Sequence, residues 1–500
     1  MTSDPAHLYA AFKAHDARFD GRVFVGVSST GIYCRPVCVA KFPKRENCSF
    51  HRSAAAAEAA GFRPCLRCRP ELAPGYASVD ASMRLAHAAS SLIDDGCAND
   101  ASLKSLAQRL AVTDRHLRRV FREAFGVSPV AYAQTQRLLL AKRLLTDTAM
   151  PVLDVALASG FGSLRRFNAA LKERYRLTPS DFRRKAGAAA PLFSPAEFVF
   201  ELGYRPPLDW PALLGFLGAR TIDGVEEADG DRYRRTLMIR HGEERHAGWF
   251  EAEPVAGKDR LRVRIAGSLG KVLPAVLARV KRLFDLACDP AEIAATLGPL
   301  ARRPGLRLPG VVDGFEIAVR AVLGQQITVR AARTLAQRFA IAFGTPMVTP
   351  FAGLVTLFPT AVNIAGRSID EIATLGIIGA RARTIQALAR AIAAGEVRLE
   401  PGVDVDATIA ALVALPGIGD WTAQYIAMRA LAWPDAFPAA DYGVMKALGE
   451  RNLRRVRETA EQWRPWRAYA VMHLWDSLMT AGTAIDTNAA TSSPPAKAAA

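Results

Sequence analysis

The sequence predicts a multidomain, predominantly α-helical protein in which two small α/β units are set among helical ones. Three observations carry that expectation. A chain of 500 residues is too long for one hydrophobic core, so roughly three or four domains are expected. Half of the residues (50%) are hydrophobic and 23% are charged, the composition of a folded chain rather than a disordered one. Charge is also partitioned: of a formal net +17, residues 1–190 hold 29 Lys/Arg against 16 Asp/Glu, whereas residues 191–500 hold 36 against 32. Basic excess points to nucleic acid or to a well-solvated surface. No charge-free apolar run approaches about 18 residues, so no membrane partner is expected. The first twenty residues lack a basic stretch followed by an apolar core, so the expected location is cytoplasmic, in association with the nucleoid.

The first unit, expected over residues 1–78, is the small α/β one. Cys34-x3-Cys38 and Cys65-x2-Cys68 have the spacing of a tetrahedral four-thiolate zinc site, so one Zn2+ is the expected cofactor. Between the pairs, Ser53–Ala60 favours helix and Gly61 ends it, which turns the second pair back towards the first. Spacing alone fits a purely structural zinc clip as well as a reactive centre. The surroundings, Ser29-Thr-Gly-Ile-Tyr-Cys-Arg-Pro-Val-Cys38, Arg45-Glu-Asn and Gly61-Phe-Arg-Pro-Cys65, resemble the N-terminal domain of the Ada family. That resemblance implies that Cys34 accepts a methyl group from a DNA methylphosphotriester, with Cys38, Cys65 and Cys68 as the other ligands. A metal-bound thiolate is the soft nucleophile such a transfer requires.

The second unit is expected over residues 80–185. Leu103, Leu106, Ala107 and Leu110 recur at helical period, and after a short break Leu117, Val120, Phe121 and Phe125 form the inward face of a second helix. Its other faces carry Arg115, Arg118 and Arg119, either to enter a DNA groove or simply to meet solvent. The arrangement recurs at Leu153–Phe161 and Ser163–Tyr175 beyond a long helical connector, Tyr132–Leu145. Val155–Phe161, Phe167, Leu171-Lys172 and Thr178-Pro179 resemble the AraC-type double helix-turn-helix domain. The resemblance implies promoter DNA and RNA polymerase as partners, with Arg115, Arg118, Arg119, Ser163, Arg165 and Arg166 as DNA-binding residues.

A small-residue stretch, 186–194, reads as a linker. Residues 195–272 hold short alternating runs, Arg232–Arg240 and Leu261–Ile265, that read as strands of a second α/β unit. Residues 273–484 read as helices joined by Gly/Pro turns, and 485–500 as a disordered tail. In the helical unit Pro416-Gly417-Ile418-Gly419 separates two helices as a hairpin whose free N–H groups suit a phosphate. The turn equally suits a structural link.

Together with Pro206–Trp210, Leu283–Leu286, Arg303–Gly310, Val322–Gln325, Ala440–Tyr442 and Trp463–Trp475, this half resembles the AlkA-type 3-methyladenine DNA glycosylases of the helix-hairpin-helix superfamily. The resemblance implies Asp441 as the catalytic carboxylate and Phe216, Trp421, Tyr425, Tyr442 and Trp475 as the pocket for a flipped base. The residues alone favour Asp441 as the N-cap of a helix over Tyr442–Leu448, a role compatible with catalysis, and the aromatic residues read equally as core. Trp421 stands where bifunctional members of the superfamily carry a Schiff-base lysine, so a glycosylase without strand nicking is implied. Gln326 falls where an apolar wedge is expected. The full expectation is a monomer that removes methyl groups from phosphotriesters, activates transcription and excises alkylated purines from double-stranded DNA. Its competitor is a zinc-containing transcription regulator whose second half binds DNA without catalysis.

Overall fold

A computed structural model describes residues 4–40, 42–73, 81–96, 103–110, 112–148, 150–186 and 196–490. Of the predicted linker only Ala186 is among them, as the end of a helix, and the last ten residues lie outside them.

The N-terminal unit is a four-stranded sheet of β1 (Phe24–Val27), β2 (Ile32–Cys34), β3 (Cys48–His51) and β4 (Arg63–Pro64), in the order β3-β1-β2-β4. Pairing is antiparallel except between β2 and β4. The expected helix forms over Ala54–Ala59, capped by Ser53, whose hydroxyl accepts from Ala56 N at 3.0 Å. Gly61 then turns the chain at φ +93°, a conformation only glycine adopts without strain. The turn lays β4 alongside β2, which puts the second cysteine pair beside the first.

Helices Leu103–Arg109 and Asp114–Phe125 form the first helix-turn-helix, and Val152–Ala158 and Leu164–Tyr175 the second. The connector, Pro129–Asp147, is longer than expected because Ser128 caps it ahead of a Pro at its first position. Leu117, Val120, Phe121 and Phe125 are buried as the periodicity requires.

Five antiparallel strands make the second sheet: β5 (Glu197–Gly203), β6 (Glu226–Asp229), β7 (Arg232–His241), β8 (Glu244–Pro254) and β9 (Arg260–Ala266), in the order β5-β9-β8-β7-β6. Helices from Leu273 onward form the last unit around one core that includes Phe315, Val319, Phe339, Leu388, Ile426 and Val471.

The sequence did not show how tightly the units join. One continuous core runs from Leu138 and Leu144 of the connector and Phe167, Leu171 and Tyr175 of the second helix-turn-helix into Phe198, Phe200, Leu202 and Phe250 of the sheet. Ion pairs cross the same divide: Arg22 with Asp289 and Glu292 (2.9 and 2.6 Å), Arg282 with Asp95 (2.7 Å) and Arg109 with Glu400 (2.6 Å). At the far end the last helix, Arg467–Ala490, runs past residue 485, where the tail was expected to begin.

Candidate active site and zinc–thiolate centre

The four cysteines come together as predicted. Cys34 ends β2, and Cys65 and Cys68 follow β4. The four sulfur atoms, all buried, lie within 4.8 Å of one another and form no disulfide. Backbone N–H groups of Arg35 and Arg67 donate to Cys68 Sγ and Cys65 Sγ, each at 3.3 Å. Four buried sulfurs this close, with N–H groups aimed at them, are a donor set for one tetrahedral Zn2+. It is the one such group among the described residues. The Arg35 guanidinium pairs with buried Asp20 and donates to Cys68 O at 3.2 Å, which clamps the backbone of the ligand loop.

The helix-turn-helix residues divide. Arg115, Arg118, Arg119, Arg165 and Arg166 are exposed. Arg118 and Arg119 spend one face on i,i+4 partners, Asp114 and Glu123, both at 2.9 Å. Ser163 serves its own helix: its hydroxyl caps Leu164–Tyr175 by accepting from Arg166 N at 3.3 Å.

The glycosylase-like centre is built from three helices. The first, Asp420–Ala430, follows the hairpin. There Gly417 sits at φ +81°, and an added Cβ would lie 2.1 Å from Thr384 Oγ1, so only glycine fits. Pro416, Gly417 and Gly419 are exposed, whereas Ile418 is buried and anchors the turn. Gly419 opens the helix with no side-chain cap, which leaves the first N–H groups available to a phosphate.

Trp421 and Tyr425, one turn apart on this helix, stack at 5.8 Å and 13°. Asp441 precedes the short helix Tyr442–Leu448, and Trp475 comes from the long last helix. The two indole N–H groups meet at the carboxylate: Trp421 donates to Asp441 Oδ2 at 3.0 Å and Trp475 to Oδ1 at 2.8 Å. Oδ1 also accepts from Val444 N at 3.0 Å, so Asp441 is the N-cap of Tyr442–Leu448 while its carboxylate faces the two indoles. Gly443 permits this approach, because a Cβ there would stand 2.9 Å from the Trp475 ring.

Phe216 completes the group, nearly parallel to Trp475 at 6.3 Å and 14°. Tyr442 does not join it: the residue is 75% exposed, and among the described residues it takes part in none of these ring contacts. A cap residue and its successor point in different directions, so only Asp441 turns inward.

Gln326 is exposed at φ +55°, a conformation that costs a non-glycine residue about 1 kcal/mol. Its neighbour Gln325 ties the loop to the hairpin by donating to Gly417 O (2.9 Å) and Thr422 Oγ1 (3.0 Å).

Two participants were missed from sequence. The Arg220 guanidinium lies 3.8 Å from the centre of the Phe216 ring, and that of Arg429 lies 5.2 Å from it. Arg429 also donates to the Tyr425 hydroxyl at 2.9 Å. Both were within reach of pattern reading, since each follows its aromatic partner by four residues.

Two thiolate-supported and aromatic–carboxylate centres flanking a double helix-turn-helix define a class: a DNA-binding regulator fused to a base-excision fold. Four family models match in series. They are the metal binding domain of Ada (7–71), a helix-turn-helix domain (106–185), the AlkA N-terminal domain (199–313) and the HhH-GPD superfamily of base excision DNA repair proteins (319–464). A probable bifunctional transcriptional activator/DNA repair enzyme AlkA of Mycobacterium tuberculosis is 37% identical over 491 residues, 96% of this chain and 97% of that one. The chain belongs to that bifunctional activator/repair family. DNA-3-methyladenine glycosylase 2 of Escherichia coli is 37% identical over 55% of this chain and 96% of its own length. The bifunctional transcriptional activator/DNA repair enzyme Ada of the same organism is 36% identical over 34% of this chain and 46% of its own.

Proposed function

We propose that this protein captures methyl groups from DNA methylphosphotriesters at Cys34, activates transcription through its two helix-turn-helix units, and excises alkylated purines such as 3-methyladenine without nicking the strand. The observation that carries the excision reading is the Asp441 carboxylate, bonded by the Trp421 and Trp475 indoles beside Phe216 and Tyr425. The base leaves the stack at a cost of a few kcal/mol and enters this aromatic group. The C1′–N bond breaks with its electron pair going to the base, while Asp441 stabilises the positive sugar and orients water. Water adds hydroxide to C1′ and releases its proton to solvent. An already cationic base leaves neutral, which explains how one carboxylate suffices.

At the other centre the Cys34 sulfur forms the new S–CH3 bond as the O–CH3 bond breaks, and a phosphodiester anion departs. Bound zinc keeps the thiol deprotonated at neutral pH. The thioether has no return path, so each molecule accepts one methyl group. Residues 1–78, 80–185, 195–272 and 273–484 are the working divisions. Arg115, Arg118, Arg119, Arg165 and Arg166 bind DNA, Pro416–Gly419 grips backbone and Gln326 fills the space left by the base. The protein acts in the cytoplasm as a monomer, with RNA polymerase as its partner at promoters.

One experiment tests both chemistries: incubation with methylated duplex, measuring released 3-methyladenine and the mass of the peptide bearing Cys34. Wild type releases base and gains one methyl. Asp441→Asn retains methyl capture without base release, and Cys34→Ala does the reverse. Base release that survives Asp441→Asn overturns the excision reading.

A further inference from the structure

We propose that Arg457 and Arg454, on the helix Leu453–Ala460, form a further phosphate-binding surface that extends the hairpin's hold on the DNA backbone. The inference rests on the excision reading and deepens it by naming how that half holds its partner. Charge there is concentrated. Residues 191–500 hold 36 Lys/Arg against 32 Asp/Glu, and the single stretch 446–457 holds five basic residues against one acidic, a surplus equal to that of the whole half. The helix Leu453–Ala460 turns Val456 and Ala460 inward and leaves Arg454, Arg455 and Arg457 exposed.

A basic helix is ordinarily a solvated face, and position distinguishes this one. The Arg457 guanidinium pairs with Asp420 at 3.3 Å, and Asp420 is the first residue of the helix that the hairpin opens. The pair thereby places Arg457 at the uncapped N–H groups offered to a phosphate. Asp420 suits a helix N-terminus, but its carboxylate is a like charge beside any phosphate bound there. Arg457 offsets that charge. Both side chains of the pair are more than half exposed, so the guanidinium can divide its donors between carboxylate and phosphate. Arg454 stands three residues earlier on the same face, 87% exposed and paired with Glu458 at 2.9 Å. It meets the next phosphate along the strand. Contacts to backbone hold ground state and transition state alike, so they act on KM and on salt dependence rather than on kcat.

The test measures kcat and KM for 3-methyladenine release from methylated duplex by the full chain, across a range of salt. Only a lesion held at the excision site reports in this assay, so the helix-turn-helix units give a background common to every variant. Arg457→Met and Arg454→Met are each expected to raise KM at least about fivefold and to leave kcat within about twofold, which also reports a folded site. Each is expected to flatten the plot of log(kcat/KM) against log[salt] by about 0.9, the value of one phosphate. Asp420→Asn is expected to restore most of the lost KM in Arg457→Met and none in Arg454→Met, because only the first loss uncovers the carboxylate. Arg240→Met removes an equal charge from the end of β7 and is expected to change neither quantity. An unchanged KM and salt slope in Arg457→Met overturn the proposal and leave the helix to solvent. An equal effect from Arg240→Met, or a loss confined to kcat, overturns it as well. If Asp441→Asn still releases base, the excision reading has failed, a separate result, and the KM and salt comparison still decides the surface.

Discussion

Asp441 caps a helix and carries the carboxylate of the proposed excision site, and the two separate on substitution. Its Oδ1 accepts from Val444 N and from the Trp475 indole, and its Oδ2 from the Trp421 indole. Asparagine keeps an oxygen for Val444 N, but its NH2 cannot accept from the Trp421 indole, so Asp441→Asn is expected to unfold only slightly below the wild-type denaturant midpoint while losing base release. Asp441→Ala forfeits about 1 kcal/mol of stability as well. Urea titrations of the two variants beside the base-release assay distinguish them. Gly443→Ala is expected to be nearly as inactive as Asp441→Asn, because its methyl displaces the Trp475 ring from 2.9 Å and breaks the bond to Oδ1. A lost tryptophan fluorescence response on binding abasic DNA, with unchanged helix content, is the signature.

At the scale of elements, the short helix Ala54–Ala59 does more than turn the cysteine pairs together. Its Glu58 accepts from Tyr33 (3.0 Å), next to Cys34, from Thr135 (2.9 Å) on the connector, and from Tyr175 (2.8 Å) at the end of the second recognition helix. Burial pushes this carboxyl up to about 7, against the hydroxyls and Arg174 that favour its charged form. The folded protein therefore holds a proton that the unfolded chain releases near 4.5. The associated stability is fully present below that lower value and is lost as pH rises through 7. It amounts to about 3 kcal/mol. The protection factor of connector-helix amides, which corrects for the base-catalysed rise of intrinsic exchange, is expected to fall over this window in wild type and to stay flat in Glu58→Gln.

Much of this element-level architecture was legible in the sequence. Cysteine spacing, the Gly61 stop, the 3.6-residue stripes, the Pro-Gly hairpin and the i,i+4 pair Trp421 and Tyr425 are local patterns. Tyr442 was misplaced because adjacency to a cap says nothing about side-chain direction. Ser163 carries a second signal that was equally legible, since a serine ahead of an amphipathic helix is a capping residue. Glu58 and the Phe216–Arg220–Arg429 group depend on contacts between distant segments, which no window of the sequence contains.

At the scale of the molecule, the net +17 divides between a strongly basic regulator half and a near-neutral excision half, yet the two are not beads on a string. Ion pairs and a common core join them. Residues 1–190 alone are expected to melt at lower temperature than the same region in the full chain, since the core that Leu144, Phe167 and Leu171 share with the sheet is cut and Arg143 loses its place over Phe200. Calorimetry of the two forms checks this, and equal melting temperatures would refute it.

The common core also binds the fates of two activities that share no chemistry. A substitution at Phe200 or Leu202, in the sheet, disturbs the same core that holds Phe167 and Leu171 of the second helix-turn-helix. Damage to the enzyme thereby surfaces as faulty gene control. Selection on either half polices the interior of the other, and a lineage can discard one only by rebuilding the surface it leaves behind.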